Sequence, residues 1–271
     1  MRRTSQVSLD EVAQGFEPVL RAAGADAAQL GEQLFAVVDA LDASSTLRRA
    51  VSDPARDGDA KAALVTELLG GKADARVVEV LSAVARARWS SEADVADAVE
   101  QIAADAMLAG AQNAGELERV EEELFRIVRV LASQRDLRRA LGDRQATGEA
   151  RAELAQRVFG GTTHSVTAAL VARAAQAPRG RSIVASLTLL ERLVAARRRK
   201  LVATVTTALP LTKAQSARLA NLLENAYGRE VQLNTSVDPG VVGGLRIEVG
   251  SDVVNATVLS RIDDVRRRLA G

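Results

Sequence analysis

The chain contains no cysteine. That excludes a disulfide framework, a thiol nucleophile and any thiolate-held metal. It has one histidine, His164, so a multi-histidine metal centre is excluded as well. Aromatic residues make up only 2% of the 271 residues, so any core must be packed by Leu, Val, Ile and Ala. Neither sign of charge dominates, with 36 Lys+Arg against 35 Asp+Glu. No global field therefore points to nucleic acid or to an anionic membrane. No run approaches the roughly 18 apolar residues of a membrane span. The opening MRRTSQVSLDEVAQ has two arginines but no apolar stretch behind them, which is not a secretory signal. The expectation is a soluble protein of a reducing compartment.

What the chain does have is Ala, Leu, Arg and Glu, all good helix formers, and a repeat. Residues 34–71 and 124–161 align without a gap at a constant offset of 90, with 15 identities in 38 positions. The shared Leu-Arg-Arg-Ala, the single Gly and the closing Gly-Gly keep one register, which alanine-rich bias alone would not do. This is a duplicated helical module. In the second copy Leu117, Val120, Leu124, Ile127, Val128 and Leu131 recur at helical spacing. A break follows at 133–136, then a short turn at 137–141. Thr147 is placed to cap the next helix, and Gly160-Gly161 to end it with one residue in the left-handed conformation. A further helix runs to about residue 177, and a long one from about 182 to 200. The first copy does the same over 27–112. The pattern predicts a mainly α fold: two tandem bundles of five or six helices, 1–112 and 113–204, then a small α/β module, 205–271.

In that last module β-branched residues take over. VATVTTALPL reads as a strand leading to a helix that Thr212 caps, with Leu219, Leu222, Leu223 and Ala226 on its apolar face. VQLNTSV and LRIEV alternate as half-buried strands, and the Asp238-Pro239-Gly240 turn between them suggests a hairpin. The last helix carries a stripe of Val258, Ile262, Val265 and Leu269. Gly243-Gly244 invites a phosphate-loop reading, but neither GxxxxGK[ST] nor a helix-opening GxGxxG is present. The glycines fit structural turns better.

One run carries a family name. Val231, Leu233, Val237, Asp238, Val241, Gly243, Gly244, Leu245, Ile247, Glu248 and Gly250, at their spacing, resemble the signature of the delta subunit of F-type ATP synthases. The mitochondrial counterpart is the oligomycin-sensitivity-conferring subunit. The opening ELERVEEELFRIVRVLASQRDLRRAL resembles the family's helical bundle. The resemblance covers 113–271, while 27–112 is an extra copy of the bundle, as in actinobacterial relatives. It implies a stator subunit without catalysis or cofactor. The partners it implies are the N-terminal segments of alpha subunits and a membrane-anchored b-type stalk, with the cytoplasmic face of the membrane as the implied location. Neither nucleic acid nor direct insertion into the bilayer is expected. In the family the alpha segment lies between the first and fifth helices of the bundle. The nearest residues here are Phe125, Val128, Leu189 and Leu193, so the second copy is expected to contact alpha. Leu259, beside the last stripe, is the candidate stalk contact.

The remaining features have bland readings. The arginine-rich runs at 197–200 and 266–268 lack interleaved aromatics and read as solvated helix ends. The acidic run from Glu116 to Glu123 reads as capping and solubility. The alternative to a stator is a generic helical-repeat scaffold of another complex.

Overall fold

The computed structural model describes residues 1–199, 201–227, 231–238, 244–249 and 252–255. The chain divides into two compact units, Met1–Val194 and Ala195–Gly271. In the first unit a helix that periodicity did not assign, α1 (Arg3–Ala22), precedes the repeat. Then come α2 (Ala27–Ala43), α3 (Ser45–Ser52), α4 (Gly58–Leu69), α5 (Ala75–Arg86) and α6 (Glu92–Asn113). The second copy follows as α7 (Leu117–Ser133), α8 (Arg135–Leu141), α9 (Gly148–Ala155), α10 (Ser165–Gln176) and α11 (Ile183–Arg199).

Side-chain caps set most of these boundaries, because the first backbone N–H groups of a helix have no partner within it. Asp57 accepts from Ala60 N at 3.3 Å, and Thr147, its counterpart at offset 90, accepts from Ala150 N at 3.2 Å. His164 caps α10 by accepting from Val166 N through Nδ1. Other bonds recur at the same offset. Arg48 Nη1 donates to the Leu41 and Asp42 carbonyls, and Arg138 Nη1 to those of Leu131 and Ala132. Asp53 closes a turn on Ala55 N at 2.9 Å, as Asp143 does on Gln145 N at 2.9 Å. The duplication is therefore a duplication of structure.

The repeat also assigns α6 two places. At offset 90, α1 corresponds to α6 and α6 corresponds to α11. α6 is thus the last helix of the first copy and the first helix of the second. Its burial agrees: residues 106–111 are buried without a break, which puts core on every face. Helices α1, α2, α3 and α5 of the first copy pack on it, and so do α7 and α10 of the second. One contiguous core runs through both copies. The crossing with α2 is close. A Cβ on Gly31 would lie 2.6 Å from the Ala103 carbonyl, and one on Gly110 would lie 2.7 Å from Ala28 N.

The Gly-Gly stops differ between copies. Gly71 has φ +72 and ends α4 in the left-handed region. In the second copy the expectation fails: Gly161 has φ −80. There the helix widens into a π turn, Gln156–Gly160, and the Phe159 carbonyl is served instead by Thr162 N and by the hydroxyls of Thr162 and Thr163.

The second unit contains β1 (Leu201–Thr207), α12 (Lys213–Tyr227), β2 (Val231–Val237), β3 (Leu245–Val249) and β4 (Asp252–Asn255). Thr212 and Gln215 form a reciprocal capping box at the start of α12. The sheet order is β2-β1-β3-β4, with β1 parallel to β2 and the other pairs antiparallel. The expected β2–β3 hairpin does not form. β1 lies between them, because α12 returns the chain as a crossover and a crossover connection makes β2 parallel to β1. The antiparallel hairpin is β3–β4. Ala203, Val205, Leu223, Val231 and Ile247 form the core. Leu222, expected on the apolar face of α12, is 59% exposed, because the sheet takes only the face that carries Leu219 and Leu223. Arg197, expected on a solvated helix end, is buried. The stripe Val258, Ile262, Val265 and Leu269 lies outside the described residues.

Candidate functional site

Among the described residues no cluster of His, Cys, Asp and Glu could hold a metal ion. The surface features are grooves and charge. Phe125 stands out on α7, 56% exposed, with the Arg129 guanidinium 5.8 Å from its ring centroid. Val128 is half-buried against the core. On α11, Leu189 and Leu193 are half-buried and line a narrow space of about 30 Å³ together with Phe35 and Leu170. Phe125 and Val128 do not line that space, so the four residues do not share one cavity there.

A wider groove lies between α1 and α5, the first and fifth helices of the first copy. It offers about 450 Å³, with Val12, Phe16, Val19, Val80 and Ala83 as apolar lining and Glu11, Arg76, Glu79 and Arg86 among its charged residues. Gly15 opens it, since a Cβ there would meet nothing within 4 Å. Sequence reasoning missed this groove because it left residues 1–26 without a helix. The alternation of Val12, Phe16 and Val19 at helical spacing was the available signal. The corresponding pair in the second copy is α6 and α10. There Phe35 reaches over from α2 and lies 5.0 Å from the Arg173 guanidinium, and the narrow 30 Å³ space is what remains.

An ion-pair clasp ties the segment from α10 to α11 to α2 and to the shared helix α6. Arg173 bonds Asp39 at 2.7 Å, and Arg179 bonds Asp42 and, at 2.9 Å, Asp97. Arg181 donates to Glu100 at 2.6 Å. Arg179 holds φ +48, a rare region for a residue with a side chain. Burial works against its charge, but the two aspartates outweigh that and raise its pKa. Glu123 is a second link, within the second copy. It is 4% exposed and accepts from His164 N at 2.8 Å, the Thr167 hydroxyl at 2.7 Å and Arg119 at 3.0 Å. Burial favours its neutral form, yet these bonds prevail and hold its carboxyl below the usual range. Its place in the acidic run therefore hides a structural role.

Of the signature residues, Val237 is half-exposed at the end of β2 and Asp238 N donates to the Thr207 carbonyl at 2.9 Å. Gly244 has φ +98, Leu245 is half-buried and Ile247 buried. Val241, Gly243, Gly250 and Leu259 lie outside the described residues. Among the described residues no helix is long and apolar enough to cross a membrane.

The comparisons with known proteins agree with the family signature. The family model described as the ATP synthase delta (OSCP) subunit matches residues 99–269. The match begins inside α6, not at 113. The chain is 51% identical to an ATP synthase subunit delta of Beutenbergia cavernae, with 100% of both chains covered. It is 40% identical to one from Streptomyces griseus and 42% to one from Thermobifida fusca, again over 100% of each chain.

Proposed function

The chain belongs to the ATP synthase delta (OSCP) subunit family, and we propose that it ties alpha-subunit N-terminal segments of the catalytic head to a b-type stalk. Members of this family are non-catalytic subunits of the peripheral stalk of an F-type ATP synthase, and so is this chain. It works as part of a membrane-associated complex, on the cytoplasmic face, and keeps the head from turning with the rotor.

One observation carries the assignment of the alpha grip: the open groove between α1 and α5. It is the first-and-fifth helix pair, it is lined by apolar residues, and an amphipathic helix can lay its i, i+3, i+4 and i+7 anchors into it. The equivalent pair in the second copy is capped by Phe35. The face with Phe125, Val128, Leu189 and Leu193 is a second reading, favoured by the exposure of Phe125. The C-terminal module, with Leu259, holds the stalk.

Calorimetric titration of an alpha N-terminal peptide into the whole chain tests both readings. Gly15→Trp fills the α1–α5 groove and should abolish binding while the chain stays folded. Phe125→Ala should leave binding unchanged. The reverse pattern would move the grip to α7, and absence of binding by the unaltered chain would remove the head-gripping role. Deleting 231–271 should abolish stalk binding; retained binding would contradict the stalk assignment.

A further inference from the structure

Six arginines surround one open cleft of about 870 Å³ in the second copy. Arg135, Arg138 and Arg139 come from α8, Arg144 and Arg151 from the segment that follows and from α9, and Arg181 from the loop before α11. Three of them are committed within the fold. Arg138 donates to the carbonyl of Leu131 at 2.9 Å, and Arg151 to those of Ala175 and Ala146 at 2.8 and 2.6 Å. Carbonyls satisfy a guanidinium without cancelling its charge, so both remain sources of positive potential. Arg181 is paired with Glu100. The other three, Arg135, Arg139 and Arg144, are exposed and have no side-chain bond or ion pair among the described residues.

The duplication supplies an internal control. At offset 90 the first copy has Ser45 for Arg135, Pro54 for Arg144 and Ser91 for Arg181. Its Arg49, counterpart of Arg139, faces Glu92 at 3.5 Å, and the second copy has Ser182 in place of that glutamate. The same scaffold therefore folds without the extra cations. The whole chain is near neutral at +1, so the surplus is local to this cleft.

We propose that this cleft docks an acidic polypeptide segment of a partner, with carboxylates on Arg135, Arg139 and Arg144 and aliphatic side chains between them. Guanidinium groups match carboxylates in paired, two-point geometry. Between the cations lie the partly exposed Pro178 and the small Gly142, Gly180 and Ser182, over a floor that Leu141 and Ile183 fill from the core, which leaves room for aliphatic side chains between paired carboxylates. No aromatic residue lines the cleft to stack a base, and the cations are spread over α8, the segment after it, α9 and the loop before α11 instead of converging on one phosphate. The inference stands apart from the groove on α1 and α5.

The test is fluorescence anisotropy of a fluorescein-labelled peptide of alternating Glu and Leu, titrated with the full chain at low and moderate salt. Binding should weaken steeply with salt, as charge-steered association does. The triple reversal Arg135→Glu, Arg139→Glu and Arg144→Glu should lower affinity by about tenfold or more. The control triple Arg3→Glu, Arg56→Glu and Arg157→Glu carries the same net-charge change on exposed sites and should lower it by less than about twofold. Equal losses in both triples would reduce the cleft to a share of a diffuse field and overturn the proposal. So would absence of binding at low salt, or cleft-dependent binding of pyrophosphate or phosphatidylglycerol vesicles where the peptide fails. Circular dichroism reports folding. If the reversals unfold the chain, the same positions changed to Gln give the same reading.

Discussion

At Glu123 a single carboxylate joins α7 to the start of α10. The first copy makes the same link with a neutral group, since Gln33 accepts from Asp74 N at 2.8 Å, the bond that Glu123 makes to His164 N. The pair shows what the charge adds. Glu123→Gln keeps an acceptor but loses charge-assisted bonds, and should cost about 1–3 kcal/mol at neutral pH. The folded carboxyl lies below its ordinary value of 4.5, so its stabilisation is complete above that value and is lost as pH falls through the folded pKa. Urea unfolding of both proteins at several pH values should show the gap closing on the acid side. A gap that stays constant would place the effect in packing. The sequence alone marked Glu123 as one of a run of surface acids. The offset of 90 held the clue, because it aligns Glu123 with a glutamine at a position where a solubility charge has no reason to be replaced by an acceptor.

At the scale of elements, the two copies differ where α4 ends regularly and α9 widens into the π turn. Phe159 is buried there, while its counterpart Leu69 is half-buried. The first copy contains an apolar cavity of about 400 Å³ lined by Val37, Leu47, Val65 and Leu69 among others. Leu69→Phe should fill part of it and raise stability by about 0.5–2 kcal/mol, read as a higher urea midpoint. A lower midpoint would mean that the ordinary α-helical turn points the ring away from the cavity. The opposite case is the α2–α6 crossing, where there is no room. Gly31→Ala should cost about 1–3 kcal/mol, since the backbone carbonyl of Ala103 cannot yield as a flexible side chain would. An unchanged midpoint would show that the helices can move apart freely. Helices were legible because Leu, Val and Ile recur every three or four residues and Ser, Thr or Asp mark the starts. The sheet order was not. Alternation in VQLNTSV and LRIEV shows that both are strands, but it does not say which neighbour each pairs with, and Asp238-Pro239-Gly240 reads the same before a hairpin partner as before a strand that pairs elsewhere in the sheet.

The shared helix decides how the whole chain can be cut. A boundary at 112 falls at the end of α6 and leaves the second copy without its first helix. Residues 113–204 would then expose the surface of α7 and α10 that packs on α6, including part of a core that contains Val120, Leu124, Leu170 and Val171. A fragment that starts at Glu92 keeps α6 and with it that face. The family match beginning at 99 points to the same unit. The division was hard to see because identities fade outside 34–71 and 124–161, and residues 106–111 of α6 are apolar on all sides, so that stretch announces burial without saying which bundle it serves. The prediction is that 92–204 unfolds in one cooperative urea transition, whereas 113–204 retains helix but lacks a cooperative transition and binds a hydrophobic dye. A sharp transition for 113–204 would mean that four helices and α11 suffice for a core. In that case α6 would belong to the first copy alone, and the clasp of Arg173, Arg179 and Arg181 on Asp39, Asp42, Asp97 and Glu100 would be the main tie between two independent bundles.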